Sequence, residues 1–270
     1  MPIRGDLLSV NLRVRERLVD RTTAFQRIEI VDTEVLGRML FLDGHVQLAE
    51  FDEAAYHELL VQIPALTLGD RLRRALVVGG GDGGALRELL KHPGLERVDM
   101  VEIDAGVIEA SRAFLPFVSA GAFDDPRAQV HVADAFAFVR ESREIYDLIV
   151  ADSTDVYEGE SGALSEMLFT RTFYADLRAR LSPHGLVVTQ ADNPVFCPYS
   201  LRAVREEYAA VFDRVGDYRG LVPSFGGFSA FCWASGGTEL PAEMPETSVP
   251  LRTLNPAAWR FAFANWGFPG

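Results

Sequence analysis

The 270-residue chain carries 39 acidic against 26 basic side chains, a formal net charge of −13, with 48% hydrophobic and 10% aromatic residues. That is ample material for a core and excludes global disorder, while the acidity excludes nucleic acid as the main partner, because phosphate backbones select Lys/Arg surfaces. No apolar run approaches the roughly 20 residues that cross a bilayer, no signal-peptide pattern opens the chain, and the two cysteines, Cys197 and Cys232, make no disulfide framework; a soluble cytoplasmic protein is the expectation.

Residues 7 to 51 read as short strands with alternating apolar positions, and Leu42-Asp43-Gly44-His45 holds the Asp-Gly signal of a tight hairpin. From Asp52 to Leu66 the pattern becomes helical, with Tyr56, Leu59, Leu60 and Ile63 on one face. A polar connector, Gly69–Arg74, marks a boundary between an N-terminal β-strand/hairpin domain with its connecting helix (1–66) and a larger domain (70–270). There strands at Ala75–Gly80, Val98–Ile103, Gln129–Ala133, Asp147–Ala151 and Gly185–Gln190 alternate with helices at Ala85–His92, Ala105–Phe114, Phe136–Arg140 and Ser165–Leu181. That alternation predicts an α/β fold, a Rossmann-like, methyltransferase-type doubly wound sheet beside a small β-rich domain. A helix at Leu201–Phe212 and a strand at Phe228–Ala234 are expected to close the sheet as a final pair.

Four features carry chemistry. Gly79-Gly80-Gly81-Asp82-Gly83-Gly84 lies where a strand ends and a helix begins, so its backbone can turn sharply and approach a ligand. Glu102 ends the next strand and suits two ribose hydroxyls, which together with the glycine turn points to a nucleoside. Asp82 inside that turn would repel a pyrophosphate and welcome a cation. Asp134, ending the third strand, suits an adenine amino group or, more plainly, a helix cap. Asp152 and Asp155 end the fourth strand, where ligands of parallel sheets bind. Three uncompensated carboxylates in one cleft are costly without a cation. An ammonium-bearing ligand resolves the conflict; a divalent metal is the rival.

In combination these motifs resemble the polyamine aminopropyltransferases, the spermidine synthase family. The resemblance runs from Phe25 to Gln190 through Phe25-Gln26-Arg27-Ile28, Gly37–Gly44, Asp52-Glu53-Ala54-Ala55-Tyr56-His57-Glu58, the glycine turn, Val101–Asp104 and Asp152–Asp155. It implies aminopropyl transfer from decarboxylated S-adenosylmethionine, a co-substrate rather than a resident cofactor, with release of methylthioadenosine. It further implies that Asp152 accepts the amine proton. On the donor side it implies Gln26, His57, Gly79, Asp82, Glu102, Asp134 and Ala135, and on the acceptor side Tyr56, Asp155, Asp192 and Phe225, with no metal. The partner would be a cationic amine, with neither nucleic acid nor membrane, and the assembly a homodimer or homotetramer.

The departures cluster at the acceptor. The loop 156–168 is longer than in the family, lacks its prolines and adds Glu158, Glu160 and Glu166; Phe225 stands where the family generally has tyrosine; Ala135 replaces a glycine. Two alternatives stay open on the sequence: an S-adenosylmethionine-dependent amine N-methyltransferase and a non-catalytic amine-binding paralogue.

Overall fold

The computed structural model describes residues 1–4, 8–153 and 170–265. A short hairpin of β1 (Pro2–Arg4) and β2 (Leu8–Ser9) precedes an antiparallel four-stranded sheet of β3 (Val14–Thr22), β4 (Arg27–Thr33), β5 (Gly37–Leu42) and β6 (His45–Ala49). Asp43, at φ +49°, and Gly44, at φ +83°, make the tight β5–β6 turn, as the Asp-Gly pair predicts.

The second sheet has the order β12-β13-β11-β10-β7-β8-β9. Its strands are β7 (Arg74–Gly79), β8 (Arg97–Glu102), β9 (Ala128–Val132), β10 (Tyr146–Asp152), β11 (Leu181–Gln190), β12 (Arg214–Val222) and β13 (Gly227–Ser235). β7 to β11 pair in parallel, and β13 and β12 add an antiparallel edge. Helices α3 (Gly84–Leu90), α4 (Ala105–Phe114), α5 (Pro116–Ser119), α6 (Ala135–Glu141), α7 (Arg171–Ala179) and α8 (Pro198–Ala209) occupy the connections, after α1 (Glu53–His57) and α2 (Ile63–Leu68) and before α9 (Pro256–Ala262). The central strands are dominated by buried apolar residues because both their faces are covered. Ala75 and Val77 of β7 join one core, shared with α2 and α3, while Leu76 and Val78 join the other, shared with α7 and α8. β7 lies between β8 and β10, so the chain reverses its direction of travel across the sheet between β7 and β10, and a ligand crevice opens there.

The closing hairpin differs from the expectation. Its strands are β12 and β13, and the residues preceding β12 form α8 instead of pairing. β12 hides in the sequence because Gly216 and Gly220 interrupt its apolar pattern; Trp233 and Leu59 fill the spaces where their side chains would stand. α9 also escapes the periodicity, although Asn255 caps it by accepting from the Ala257 and Ala258 amides and Pro256 begins it. The predicted helix over 165–181 is described only as α7, since its first part lies outside the described residues. Among the described residues no helix is long and apolar enough to cross a membrane.

The helical segment at 53–68 is continuous but changes pitch. Glu58–Gln62 form a π-helical turn between α1 and α2, just before Pro64, which has no N–H to donate to the preceding turn. In that turn Glu58 is fully buried. Its carboxylate accepts the backbone amides of Arg252 (2.5 Å), Thr253 (2.8 Å) and Leu254 (2.8 Å) and the Thr253 hydroxyl (2.7 Å). Glu58→Gln turns one acceptor into a donor facing donors. The expected loss is about 3 kcal/mol of unfolding free energy, read as a lower urea midpoint and faster hydrogen exchange at 252–262. A wild-type midpoint would show that this anchor is dispensable.

Candidate active site

The crevice is built by the pairing of β7 with β10, which sets Asp152 directly across from Gly79. Gly79 has φ +80° and its α-carbon faces the Asp152 carbonyl so closely that any Cβ would overlap it. The Gly80 amide donates to that same carbonyl at 2.9 Å. The chain then turns into α3, and Asp82 is held by the Gly84 amide, which donates to Oδ1 at 2.6 Å. Gly84 in turn lies against the His57 ring with no room for a side chain.

His57, Asp82 and Asp152 therefore meet, each offering a ligand atom within 4.8 Å of the others. His57 is fully buried, with Nδ1 2.9 Å from Glu53 Oε2 and Nε2 3.4 Å from Asp82 Oδ1. Burial opposes its charge, but Asp82 and Glu53 outweigh burial and push the imidazole up to about 10. Asp82 is correspondingly lowered against its burial, chiefly by His57. Asp82 is thus already partnered, which corrects the expectation of three uncompensated carboxylates. Both ring nitrogens of an imidazolium are donors, so its charge is set against the carboxylates around it.

Asp152 differs. Its Oδ1 accepts from the Tyr56 hydroxyl at 2.7 Å, while Oδ2 is shielded from solvent and has no hydrogen-bond partner among the described residues. Burial, with Asp82 adding, pushes its carboxyl up to about 6, while His57 and Tyr56 pull the other way. Tyr56 itself is buried and stacked edge-on to Phe225 at 5.3 Å between ring centres.

The predicted nucleoside side lies at the ends of β8 and β9. Glu102 is 9% exposed, takes the Asp104 amide on Oε1 at 2.9 Å and sits against Gly81. Burial, reinforced by the charge of Asp104, pushes its carboxyl up to about 7. Gln26 reaches this corner through Asp104, donating from Nε2 to Oδ2 at 3.1 Å. Asp104 also caps α4 and takes the Thr23 hydroxyl at 2.7 Å; sequence reasoning passed over it as a joint, although it stands two residues from Glu102. Asp134 is exposed and caps α6 through the Phe136 amide at 2.8 Å. Ala135 begins α6, and among the described residues positive φ outside glycine is confined to Asp43, Ala120 and Asp192, so the methyl group costs nothing there.

On the acceptor side, Asp192 follows β11 at φ +62°. It receives the Asn193 amide at 2.5 Å and the Ser200 hydroxyl at 3.3 Å, and burial raises its carboxyl against those bonds. Gln190 ties it to the crevice, accepting the Asp192 amide at 3.0 Å and donating to the Ser153 carbonyl at 3.2 Å. Asp155, Glu158, Glu160 and Glu166, with the whole 156–168 loop, lie outside the described residues. Glu53, passed over in the sequence, stands one helical turn before His57, the spacing that puts two side chains on one face.

Residues 53–241 match the spermine/spermidine synthase domain, and residues 5–50 match the spermidine synthase tetramerisation domain, which supports an oligomer. The chain is 38% identical over 260 residues to the polyamine aminopropyltransferase of Ruegeria sp. (strain TM1040), covering 96% of this chain and 86% of the relative. It is 43% identical over 209 residues to that of Pyrobaculum calidifontis, with 76% and 71% covered. A spermidine synthase crystallised with the transition-state analogue AdoDATO superposes with a TM-score of 0.89 at 29% identity, over 97% of this chain and 89% of the other. The spermidine synthase of Thermotoga maritima gives a TM-score of 0.86 at 28% identity, over 97% and 88%. The chain belongs to the spermine/spermidine synthase family. It is a polyamine aminopropyltransferase: decarboxylated S-adenosylmethionine is its co-substrate, and an aminopropyl group moves to a polyamine acceptor.

The contact between Gly84 and His57 is directly testable. Gly84→Ala inserts a methyl group into the imidazole, and overpacking of this kind costs about 1–3 kcal/mol. The expected result is a lower thermal midpoint with a shifted His57 ring resonance; an unchanged spectrum would show that the helix start can retreat.

Proposed function

We propose that Asp152 is the proton acceptor of the transfer and that the groups around it divide into a donor side and an acceptor side. The observation that carries this is the Asp152 carboxylate itself, one oxygen fixed by Tyr56 and the other buried and, among the described residues, unengaged. A primary amine with a pKa near that of lysine, about 10.4, is less than 1% free base at neutral pH. A carboxylate in a dry site takes its proton and orients the lone pair. The amine nitrogen then attacks the methylene beside the sulfonium, the new C–N bond forms as the C–S bond breaks, and the sulfur leaves as neutral methylthioadenosine. No covalent enzyme intermediate is required, and much of the acceleration comes from holding the two reactants in line.

In this reading Glu102 accepts the ribose hydroxyls, Gln26 and Asp134 hold the rest of the adenosyl group, and Gly79 and Ala135 allow its close approach. His57 and Asp82 line the passage of the aminopropyl chain. Two carboxylates facing one imidazolium leave Asp82 and Asp152 with a net negative field, which favours an ammonium terminus over the carboxylate of intact S-adenosylmethionine. Tyr56, Asp155, Asp192 and Phe225 form the acceptor wall, and the acceptor is putrescine or a longer amine. The functional units are 1–66 and 70–270, the assembly a homodimer or homotetramer through the N-terminal sheet, and the compartment the cytoplasm.

Asp152→Asn is expected to lower kcat by about 10²–10⁴-fold, the usual contribution of a general base; full turnover in the variant would remove the assignment. Since the ionised form acts and its pKa is raised to about 6, kcat/KM should fall as pH drops through that value and level off above it. Titration calorimetry gives a second check. The decarboxylated donor should bind more tightly than intact S-adenosylmethionine, and the reverse order would favour a methyltransferase.

A further inference from the structure

Behind His57, on its Nδ1 side, stands Glu53. The Glu53 side chain is 1% exposed, and its two oxygens serve three cations. Oε2 lies 2.9 Å from His57 Nδ1 and 2.9 Å from Arg87 NH2, and Oε1 lies 3.0 Å from Arg252 NH1. On the far edge of the imidazole, Nε2 stands 3.4 Å from Asp82. Each ring nitrogen therefore faces a carboxylate. A neutral imidazole has only one N–H and would turn a lone pair toward the other carboxylate.

We propose that Glu53 is a positioning residue of the transfer reaction, which holds His57 as an imidazolium with Nε2 at ion-pair distance from Asp82 and thereby keeps Asp152 ionised. The inference rests on Asp152 being the proton acceptor. All charged groups facing His57 among the described residues enter it: Glu53 from α1, Asp82 from the glycine turn, Asp152 from β10, with Arg87 of α3 and Arg252 of the C-terminal segment behind Glu53. Asp82 and Asp152 lie within 4.8 Å of one another and of the ring. Two carboxylates at such range tend to share one proton, as paired acids do. A proton shared there would occupy the oxygen that must receive the amine's. The imidazolium prevents that sharing, and it lowers the carboxyl of Asp152 against burial and Asp82. Glu53 is needed because Asp82 alone is a loose partner, at ion-pair distance and open to a cationic substrate; Glu53 keeps the ring charged when Asp82 turns to that substrate. Against burial, His57 first and Arg87 second hold the Glu53 carboxyl down at about 2, while Arg252 pairs with its other oxygen.

The test uses the full-length enzyme with isotope-labelled histidine, decarboxylated S-adenosylmethionine and putrescine. In the wild type, His57 should carry both ring protons at pH 8. In Glu53→Gln it should lose one, and the acidic limb of kcat/KM should move up by about one pH unit, the effect of removing one opposite charge nearby. Arg252→Gln should leave the limb in place and move the loss of the second His57 ring proton to higher pH, because Glu53 then acts on His57 with less competition; an unmoved or lowered ring titration would count against the inference. The Arg252 side chain is 62% exposed, so this variant keeps the question answerable if Glu53→Gln fails to fold. A doubly protonated His57 in Glu53→Gln would overturn the inference. So would a limb that stays in place while kcat falls equally at every pH, since that marks a purely structural role. A wild type with no acidic limb would instead remove Asp152 as the base, and with it the kinetic half of the inference; the histidine spectra decide the Glu53–His57 half on their own.

Discussion

The parallel pairing of β7 with β10 is the constraint on which the rest of the molecule depends. It sets Gly79 opposite Asp152 and leaves no space between them, so two loops that belong to opposite halves of the sheet must turn out of the same slot. One brings Asp82 and the start of α3; the other brings Asp152. Every further element can be understood as support for that slot. α1 delivers Tyr56 and His57 to it from the connecting helix, and the turn before β13 delivers Phe225 against Tyr56.

Bringing acids together this way has an electrostatic cost, and the fold meets it in layers. His57 faces both Asp82 and Glu53; Glu53 faces Arg87 and Arg252; Arg87 also pairs with buried Glu88 at 2.9 Å, and Glu88 with Lys91 at 2.7 Å. Charges alternate from the crevice outward until the last cations reach solvent. Buried ion pairs of this kind contribute little net stability compared with apolar packing. Their value lies in fixing which groups are charged where the substrate arrives. Asp152 stands at the inner end with one oxygen unengaged among the described residues.

Much of this was legible in the sequence, and the reasons differ by element. The doubly wound sheet announced itself because its central strands are short apolar runs and each is followed by a helical pattern. The meeting of Asp82 and Asp152 could be anticipated because both follow strands whose ends lie at one edge of a parallel sheet. What could not be read was compensation. Net charge sums over the surface and says nothing about a buried neighbour, so the partnership of His57 with Asp82 emerged only from coordinates. β12 was hidden for a related reason. Its glycines are spaces for Trp233 and Leu59, and a residue chosen to leave room for a distant side chain carries no local periodicity. The π turn, too, follows from backbone geometry before Pro64 rather than from any apolar pattern.

The anchoring of Glu58 has a temporal side. The helix that presents Tyr56 and His57 encloses a carboxylate whose backbone donors lie 194 to 196 residues further along the chain. During synthesis those donors emerge long after the strands around the slot are available to pair. Until then the helix holds an acid without the donors that satisfy it in the folded chain. A nascent chain that has made both sheets therefore still lacks the bonds that satisfy Glu58, and the helix carrying Tyr56 and His57 gains them only when residues 252–254 dock.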